Sequence, residues 1–214
     1  MEIKQISIQN FVQAFKNCQN DQKITFFWII DTLSLNDEIT KIFRDIGGME
    51  ILSNSFIQSN FETQGPLLIP MINIISSHGE FREYLGKNSE FLNSLTSFLD
   101  GTEDDQFQLN VAGILLCLAG YISNKNSVKT ALENIIFPII QNNKSSKEYM
   151  DRTLDCLMEA SAIDSSKSIL LELGTKEVIQ PFIDDKNSLY HFISCVIQAF
   201  LSSNDVNQSN EFGS

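Results

Sequence analysis

The sequence predicts an all-α fold built from a repeated group of helices. Apolar residues recur at helical spacing along nearly the whole chain, and no stretch shows the sustained apolar and polar alternation that is typical of strands. Clusters rich in Asn, Asp, Ser and Gly, such as SSHGE and NNKSSK, separate the helical segments. The segments between these clusters alternate between short and long, which indicates an internal repeat.

Three cysteines reveal the period of this repeat. Cys117, Cys156 and Cys195 are 39 residues apart and lie within the apolar stretches ILLCLAGY, TLDCLMEA and FISCVIQA. The same frame, moved toward the N-terminus, places Met71 of LIPMINII and Trp28 of TFFWIIDT at the corresponding position. We therefore predict that these five residues occupy equivalent buried positions on five long helices.

A second recurring feature precedes the long helices. Two apolar segments flank a short break in FRDIGGMEIL, REYLGKNSEFL and LLELGTKEVI, and Gly47, Gly86 and Gly174 lie at these breaks. Glycine permits the positive φ angle at which one helix ends and the next leaves at a steep angle. The fourth group departs from the pattern because it carries ENIIFP where a glycine is expected.

A short helix, a glycine-containing break, a second helix and a long third helix resemble the armadillo repeat. NDEITKIFRDIGGMEILSNSFIQ resembles the first two helices of that family, and MINIISSHGEF resembles the end of its third helix. The resemblance implies a right-handed α-solenoid over residues 1–203, with about five units at about 1–35, 36–78, 79–123, 124–164 and 165–203. It rests on pattern and spacing, so HEAT repeats remain an alternative. We expect residues 204–214 to form a polar tail; its end, EFGS, is typical of translated cloning sites and leaves open whether the natural chain continues.

The charge of the chain limits its partners. The 214 residues include 27 acidic and 15 basic side chains, for a formal net charge of -12. Such a surface repels phosphate backbones and anionic membranes, and no basic cluster offsets it, so we expect neither nucleic acid nor a membrane as partner. The most apolar run, VAGILLCLAGYI, is too short to span a bilayer. The lack of a secretory signal and of clustered cysteines predicts a cytoplasmic protein.

The sequence contains no pattern that is typical of an active site. Cys156 has Asp155 beside it and Glu159 three residues on, and neighbouring carboxylates disfavour a reactive thiolate. His78 and His191 are far apart, and the acidic loop DGTEDD lacks the ligand spacing of a calcium loop. We expect its acids to complement the dipole of the helix that follows. No nucleotide-binding glycine motif or nucleophile elbow occurs. We therefore predict a protein that is not an enzyme and that uses no cofactor or metal.

A binding surface is the function that remains. The third helices of armadillo proteins line a concave groove, and the resemblance implies that positions one before, three after and five before the repeated core position face this groove. The residues predicted to line it are Phe27, Asp31, Pro70, Ile74, Ala112, Leu116, Gly120, Asp151, Asp155, Glu159, Tyr190 and Gln198. Apolar positions would anchor a peptide or partner helix, and the acids would attract its Lys or Arg side chains. In the alternative interpretation, the acids form a solvated face and the small residues serve packing between repeats.

The predicted function is a non-catalytic scaffold that binds a protein or peptide partner. Importin-type recognition is disfavoured because it uses repeated Trp and Asn pairs, whereas only Asn73 resembles that asparagine and Thr32 follows Trp28 at i+4. Two alternatives stay open. Formin regulatory regions hold a small GTPase with a few armadillo units, and this chain has a similar extent. The aromatic residues of the first unit, or the last repeat, would instead join copies into a homo-oligomer.

Overall fold

The computed structural model describes residues 2–59, 61–101, 104–123, 125–142 and 146–203. All regular structure within these ranges is helical and none of it is strand, which confirms the predicted all-α class. The chain divides into two compact units, Met1–Gly101 and Thr102–Ser214. The predicted tail at 204–214 lies outside the described residues, as do Thr102 and Glu103 of the acidic loop.

The described residues of the first unit form seven helices. They are α1 (Glu2–Lys16), α2 (Asn20–Ser34), α3 (Asp37–Asp45), α4 (Gly48–Ile57), α5 (Phe61–Ser77), α6 (Gly79–Lys87) and α7 (Ser89–Gly101). Large side chains from several of these helices are fully enclosed, among them Leu52, Phe56, Leu68, Met71 and Phe91. Phe56 and Phe91 meet edge to face with their ring centroids 5.4 Å apart.

The two long helices of the first unit, α2 and α5, pack against each other in parallel. Near the beginning of α2, the Nζ of Lys23 donates a hydrogen bond to Oγ of Ser59, two residues before α5. Near their ends, the Nδ2 of Asn73 donates a 3.0 Å hydrogen bond to Oδ2 of Asp31. Because both pairs join corresponding ends of the two helices, α2 and α5 must run in the same direction.

The second unit contains the remaining helices. They are α8 (Asp105–Leu118), α9 (Asn126–Ala131), a π-helical turn (Leu132–Ile136), α10 (Phe137–Gln141), α11 (Lys147–Ser161), α12 (Asp164–Glu172), α13 (Thr175–Asp184) and α14 (His191–Ser202). The central helix is α8, in which every residue from Leu109 to Leu118 is buried. Asp104 begins this helix, and its side chain accepts a 3.0 Å hydrogen bond from the backbone N–H of Phe107. The capping role predicted for the acidic loop is thus confirmed at Asp104.

Two of the three predicted glycine breaks are confirmed. Gly47 and Gly174 have φ angles of 79° and 86°, and each ends one helix and starts the next. The prediction is wrong for Gly86, because α6 continues through it to Lys87 without a positive φ. In the fourth group, which lacks the glycine, the helix does not break at all. It passes through the π-helical turn into α10, where Pro138 cannot donate a backbone hydrogen bond.

The repeated core position is only partly buried. Met71 and Cys117 are fully enclosed, as the 39-residue frame predicts. Cys156 and Cys195 are half-buried, and Trp28 is 44% exposed, so the prediction is wrong for these three. In α2 the neighbouring Phe27 occupies the interior instead and packs edge to face on Phe15. No helix in the described part of the chain is long and apolar enough to cross a membrane.

Candidate functional site

Five of the predicted groove residues lie in the interior and cannot line a groove. Phe27, Ile74, Ala112 and Leu116 have no solvent-accessible surface, and Pro70 is also buried. The prediction assumed that each long helix buries a single face. In α8 the neighbouring helices α9, α11 and α12 cover the whole circumference, so Ala112 and Leu116 have no free side.

In the first unit, one predicted groove residue remains at the surface. Asp31 is half-buried and accepts the hydrogen bond from Asn73 described above. The apolar residues exposed on the same two helices are Trp28, Ile29 and Ile69, which the sequence analysis did not select. Trp28 was missed because its place in the repeat frame predicted a buried position.

In the second unit, Gly120 is exposed but has no room for a side chain. A Cβ atom at this position would overlap the backbone carbonyl of Ser165, so only glycine fits there. This contact favours the alternative interpretation for the small residues, namely that they allow close packing. Gln198 on α14 is half-buried and lies away from the acidic residues of α11 that line the cleft described next.

The structure brings three predicted site residues together in one cleft. Asp151 and Asp155 of α11 face Tyr190, at the start of α14, across a cleft of about 340 Å³. The other residues that line this cleft are Lys147, Leu154, Leu189 and Ile193. Leu189 is 69% exposed although it is a large apolar residue. The sequence analysis missed it because it lies in the polar segment DDKNSLY, where the lone leucine was the only signal.

Burial and negative charge along α11 raise the pKa values of two of its carboxyl groups. Burial raises the pKa of Asp155, and the negative charge of Asp151 raises it further, while Arg152 acts in the opposite direction. One turn along α11, burial raises the pKa of Glu159, and the charge of Asp155 adds to this shift. Burial and the charge of Asp151 likewise raise the pKa of Tyr190. The three carboxylates therefore form one region of negative potential.

No cation of the described chain neutralises this region by direct contact. Asp151, Asp155 and Glu159 make no ion pair among the described residues. Arg152 is the nearest guanidinium in sequence, but its Nη2 donates a 2.9 Å hydrogen bond to Oδ1 of the buried Asn110 on α8. A positively charged group from outside the chain would complete the site electrostatically.

The surroundings of Cys156 disfavour a thiolate. The residue as a whole is half-buried, but its thiol group is shielded from water. This desolvation raises the pKa of the thiol to about 12, and the charges of Glu159 and Asp155 contribute in the same direction. A thiol of this kind stays protonated at neutral pH, and the acidic neighbours named in the sequence analysis act in the direction expected there. The main cause, however, is burial rather than the charge of the carboxylates.

Cys195 and His191, one turn apart on α14, are in contact but are not aligned as a thiol–imidazole hydrogen bond. The sulfur of Cys195 lies 3.7 Å from Nε2 and 4.0 Å from Nδ1 of the imidazole, so it is almost equidistant from both nitrogens. A thiol in line with the lone pair of one nitrogen would lie clearly farther from the other. The sulfur instead packs against the ring, and Nδ1 of His191 is 3.2 Å from the carbonyl oxygen of Phe182.

Comparisons with known proteins show a similar fold but no family. No family model matches the chain, and no curated protein matches it. Similar solved structures include two engineered proteins from the Northeast Structural Genomics Consortium. The first has a TM-score of 0.59 and 15% identity, and the match covers 92% of this chain and 80% of that chain. The second has a TM-score of 0.57 and 16% identity over 91% of this chain, which spans only 47% of that protein. At such identities the likeness shows the fold alone.

Proposed function

We propose that this chain is a non-catalytic protein-interaction module, and that the cleft between α11 and α14 binds a peptide or helix with basic and apolar residues. The observation that carries this proposal is the group of Asp151, Asp155 and Glu159 on α11, which have no ion-pair partner among the described residues. In addition to burial, the charge of Asp151 raises the pKa of Asp155, and the charge of Asp155 raises the pKa of Glu159. An incoming Lys or Arg would relieve this repulsion.

We propose in addition that the helices form an armadillo-like solenoid. Helices α3, α6 and α12 each have 9 residues, and each begins a series of three in which a longer helix comes last. The glycines with positive φ at 47 and 174 occupy the same place in the first and the last of these series. This regularity supports the repeat, since stacking of similar units would bury the apolar faces that one unit cannot cover alone.

The residues around the cleft define the chemistry of the ligand. The aliphatic side chains of Leu154, Leu189 and Ile193 offer contacts for an apolar anchor, and the two aspartates lie in the same cleft. Lys147 at one end of the cleft disfavours a second basic residue at that end. We therefore expect the ligand to present an apolar side chain and one or two basic side chains about one helical turn apart.

A binding measurement with matched variants tests this proposal. A short fluorescein-labelled helical peptide of Leu and Lys would be titrated with the protein, and fluorescence anisotropy would be recorded at low and high salt. We expect the double substitution Asp151→Asn and Asp155→Asn to weaken binding by about 3- to 10-fold, because each lost ion pair at a partly exposed site contributes little. Salt should weaken binding to the wild-type protein as well.

The control removes the same charge elsewhere in the same unit. Glu177 and Asp184 are exposed on α13, away from the cleft. Glu177→Gln combined with Asp184→Asn should leave the affinity within about twofold of wild type. An equal loss in both double variants would mean that the peptide responds to net charge rather than to the cleft. Unchanged binding in the cleft variant would overturn the proposal, and a crystal structure of the complex would test the solenoid arrangement directly.

A further inference from the structure

Asn110 is a polar residue within the buried stretch of α8. Every residue from Leu109 to Leu118 is buried, and Asn110 is the only one among them with an amide side chain. A buried amide lowers stability unless its polar atoms are hydrogen-bonded. The Oδ1 of Asn110 accepts two hydrogen bonds, one of 3.3 Å from Nε2 of Gln106 and one of 2.9 Å from Nη2 of Arg152. One of the two donors therefore belongs to α11, the helix that carries the acids of the cleft.

Arg152 reaches across to α8 although its own helix offers a carboxylate. Asp155 follows Arg152 by three residues, a spacing at which oppositely charged side chains of a helix commonly pair. Arg152 nevertheless makes no ion pair within the described part of the chain. Burial and the charge of Asp151 raise the pKa of Asp155, and the charge of Arg152 only partly offsets them. The guanidinium thus acts on Asp155 through space, while its hydrogen bond goes to Asn110.

The first unit contains a hydrogen bond with the same sequence separation but the opposite effect on charge. Asn73 and Asp31 are 42 residues apart, as are Arg152 and Asn110, and each pair joins two long helices of its unit. In the first unit the amide donates to the carboxylate, so the acid itself is engaged. In the second unit the amide accepts from the guanidinium, so the cation is engaged and the acids of α11 are not.

We propose that Asn110 is a positioning residue for the cleft between α11 and α14. It holds Arg152 against α8, so that Asp155 stays available for a cationic side chain of the ligand. The acceptor can do this because it is neutral and buried, and therefore adds no charge to the cleft. This inference rests on the proposed function, since it concerns the same acidic site.

A released Arg152 would have acids on both sides along α11. Glu148 precedes it by four residues, and Asp155 follows it by three. Glu148 is a single exposed acid, whereas Asp155 lies close to the charges of both Asp151 and Glu159. The negative potential is greater where three carboxylates act together, so we expect a released Arg152 to pair with Asp155. In that position it would compete with the cation of a ligand.

The substitution Asn110→Leu tests the role of the amide, because leucine is also branched at Cγ but accepts no hydrogen bond. The affinity for the fluorescein-labelled peptide of Leu and Lys should fall by about 2- to 5-fold, the size expected for competition from one helix ion pair. Asn110→Asp keeps an acceptor for Arg152 and should bind the peptide at least as well as wild type. Circular dichroism would show that both variants are folded.

A double-mutant cycle separates positioning from damage to the packing around residue 110. In an Arg152→Gln background, the change Asn110→Leu should no longer weaken binding, because no guanidinium is left to release. A loss of the same size in both backgrounds would mean that packing, and not the position of Arg152, determines the affinity. That result would overturn the inference.

A measurement without ligand distinguishes this inference from the proposed function. The pKa of Asp155 can be followed by NMR of its carboxyl carbon during a pH titration. Pairing with the released Arg152 should lower this pKa in Asn110→Leu relative to wild type, whereas Asn110→Asp should not lower it. If the peptide does not bind but Asn110→Leu lowers the pKa, the proposed function fails and Asn110 still positions Arg152. If the peptide binds and Asn110→Leu changes neither its affinity nor the pKa, the function holds and the inference fails.

Discussion

At the residue scale, two acids of α11, Asp155 and Glu159, reduce the stability of the folded protein when they are ionised. Burial raises the pKa of Glu159 and of Asp155, and in each case a neighbouring aspartate raises it further. A carboxyl group whose pKa is higher in the folded than in the unfolded state lowers the free energy of unfolding once it is ionised. Such a cost at the surface is typical of a site that is selected for binding rather than for stability.

This cost predicts the effect of a neutral substitution. Glu159→Gln should raise the free energy of unfolding at pH 7 by up to about 1 kcal/mol, because an ionised, partly buried carboxylate is replaced by a neutral amide. As the pH falls through the raised pKa toward the ordinary glutamate value of about 4.3, the wild type gains a proton and the difference should disappear. Urea unfolding at several pH values measures it.

The control for this prediction is Glu177→Gln, which removes the same charge from an exposed position of α13. Its effect should be within about 0.5 kcal/mol of zero and should depend little on pH. A loss of stability in Glu159→Gln at pH 7 would contradict the prediction, since it would mean that the ionised Glu159 makes a favourable contact in the folded protein.

At the element scale, the sequence was informative about where helices lie and less informative about which way they face. The repeat frame placed Met71 and Cys117 in the interior correctly, and it identified the turns at Gly47 and Gly174. A repeat frame relates equivalent positions but does not fix the rotation of each helix about its axis. In α2 that rotation places Phe27 inside and Trp28 at the surface, although both are large aromatic residues.

The sequence analysis predicted the polar residues of the candidate site but not its apolar residues. Asp151, Asp155 and Tyr190 reach the cleft because charged and polar groups avoid the interior, so sequence pattern and burial agree for them. Phe27, Ile74 and Leu116 were assigned to a groove by position alone, and burial placed them in the core. Leu189 could not be found, because a lone leucine in a polar segment gives no helical pattern from which its position could be predicted.

The turns between helices give a prediction at this scale. Gly47 has a φ angle of 79°, and nothing lies within 4 Å of the place where a Cβ atom would be. Gly47→Ala should therefore lower the free energy of unfolding by about 1 to 2 kcal/mol through backbone conformation alone. Gly47→Asn should cost less, since asparagine tolerates this conformation better than alanine. Thermal unfolding of the two variants would measure the difference.

The two variants control for each other, because alanine and asparagine both add a Cβ atom at the same open position. Equal losses for Ala and Asn would mean that the side chain, and not the positive φ, determines the stability. An unchanged stability in Gly47→Ala would contradict the role of Gly47 as the residue that ends α3 and begins α4.

At the scale of the whole molecule, the dominant physical fact is the excess of negative charge. The 27 acidic residues are opposed by only 15 basic ones. The ion pairs of the described residues mostly join exposed side chains, for example Lys125 with Glu172 and Lys87 with Glu83. Exposed pairs of this kind contribute little to stability, so repulsion between the remaining acids should outweigh them.

We therefore expect salt to stabilise the folded chain. An increase in KCl from about 20 mM to about 500 mM shortens the Debye length from roughly 20 Å to roughly 4 Å, which screens most of the repulsion between exposed acids. The melting temperature should rise by several degrees. Chloride is preferred to sulfate because sulfate also strengthens apolar burial. The protein would be kept at about 5 µM, so that association between copies does not add to the shift. A variant with Glu177→Lys and Asp184→Lys, which lowers the net negative charge by four, should melt higher at low salt and gain less from KCl. A melting temperature that falls with salt would mean that attractive pairs, rather than repulsion, dominate the electrostatics of the fold.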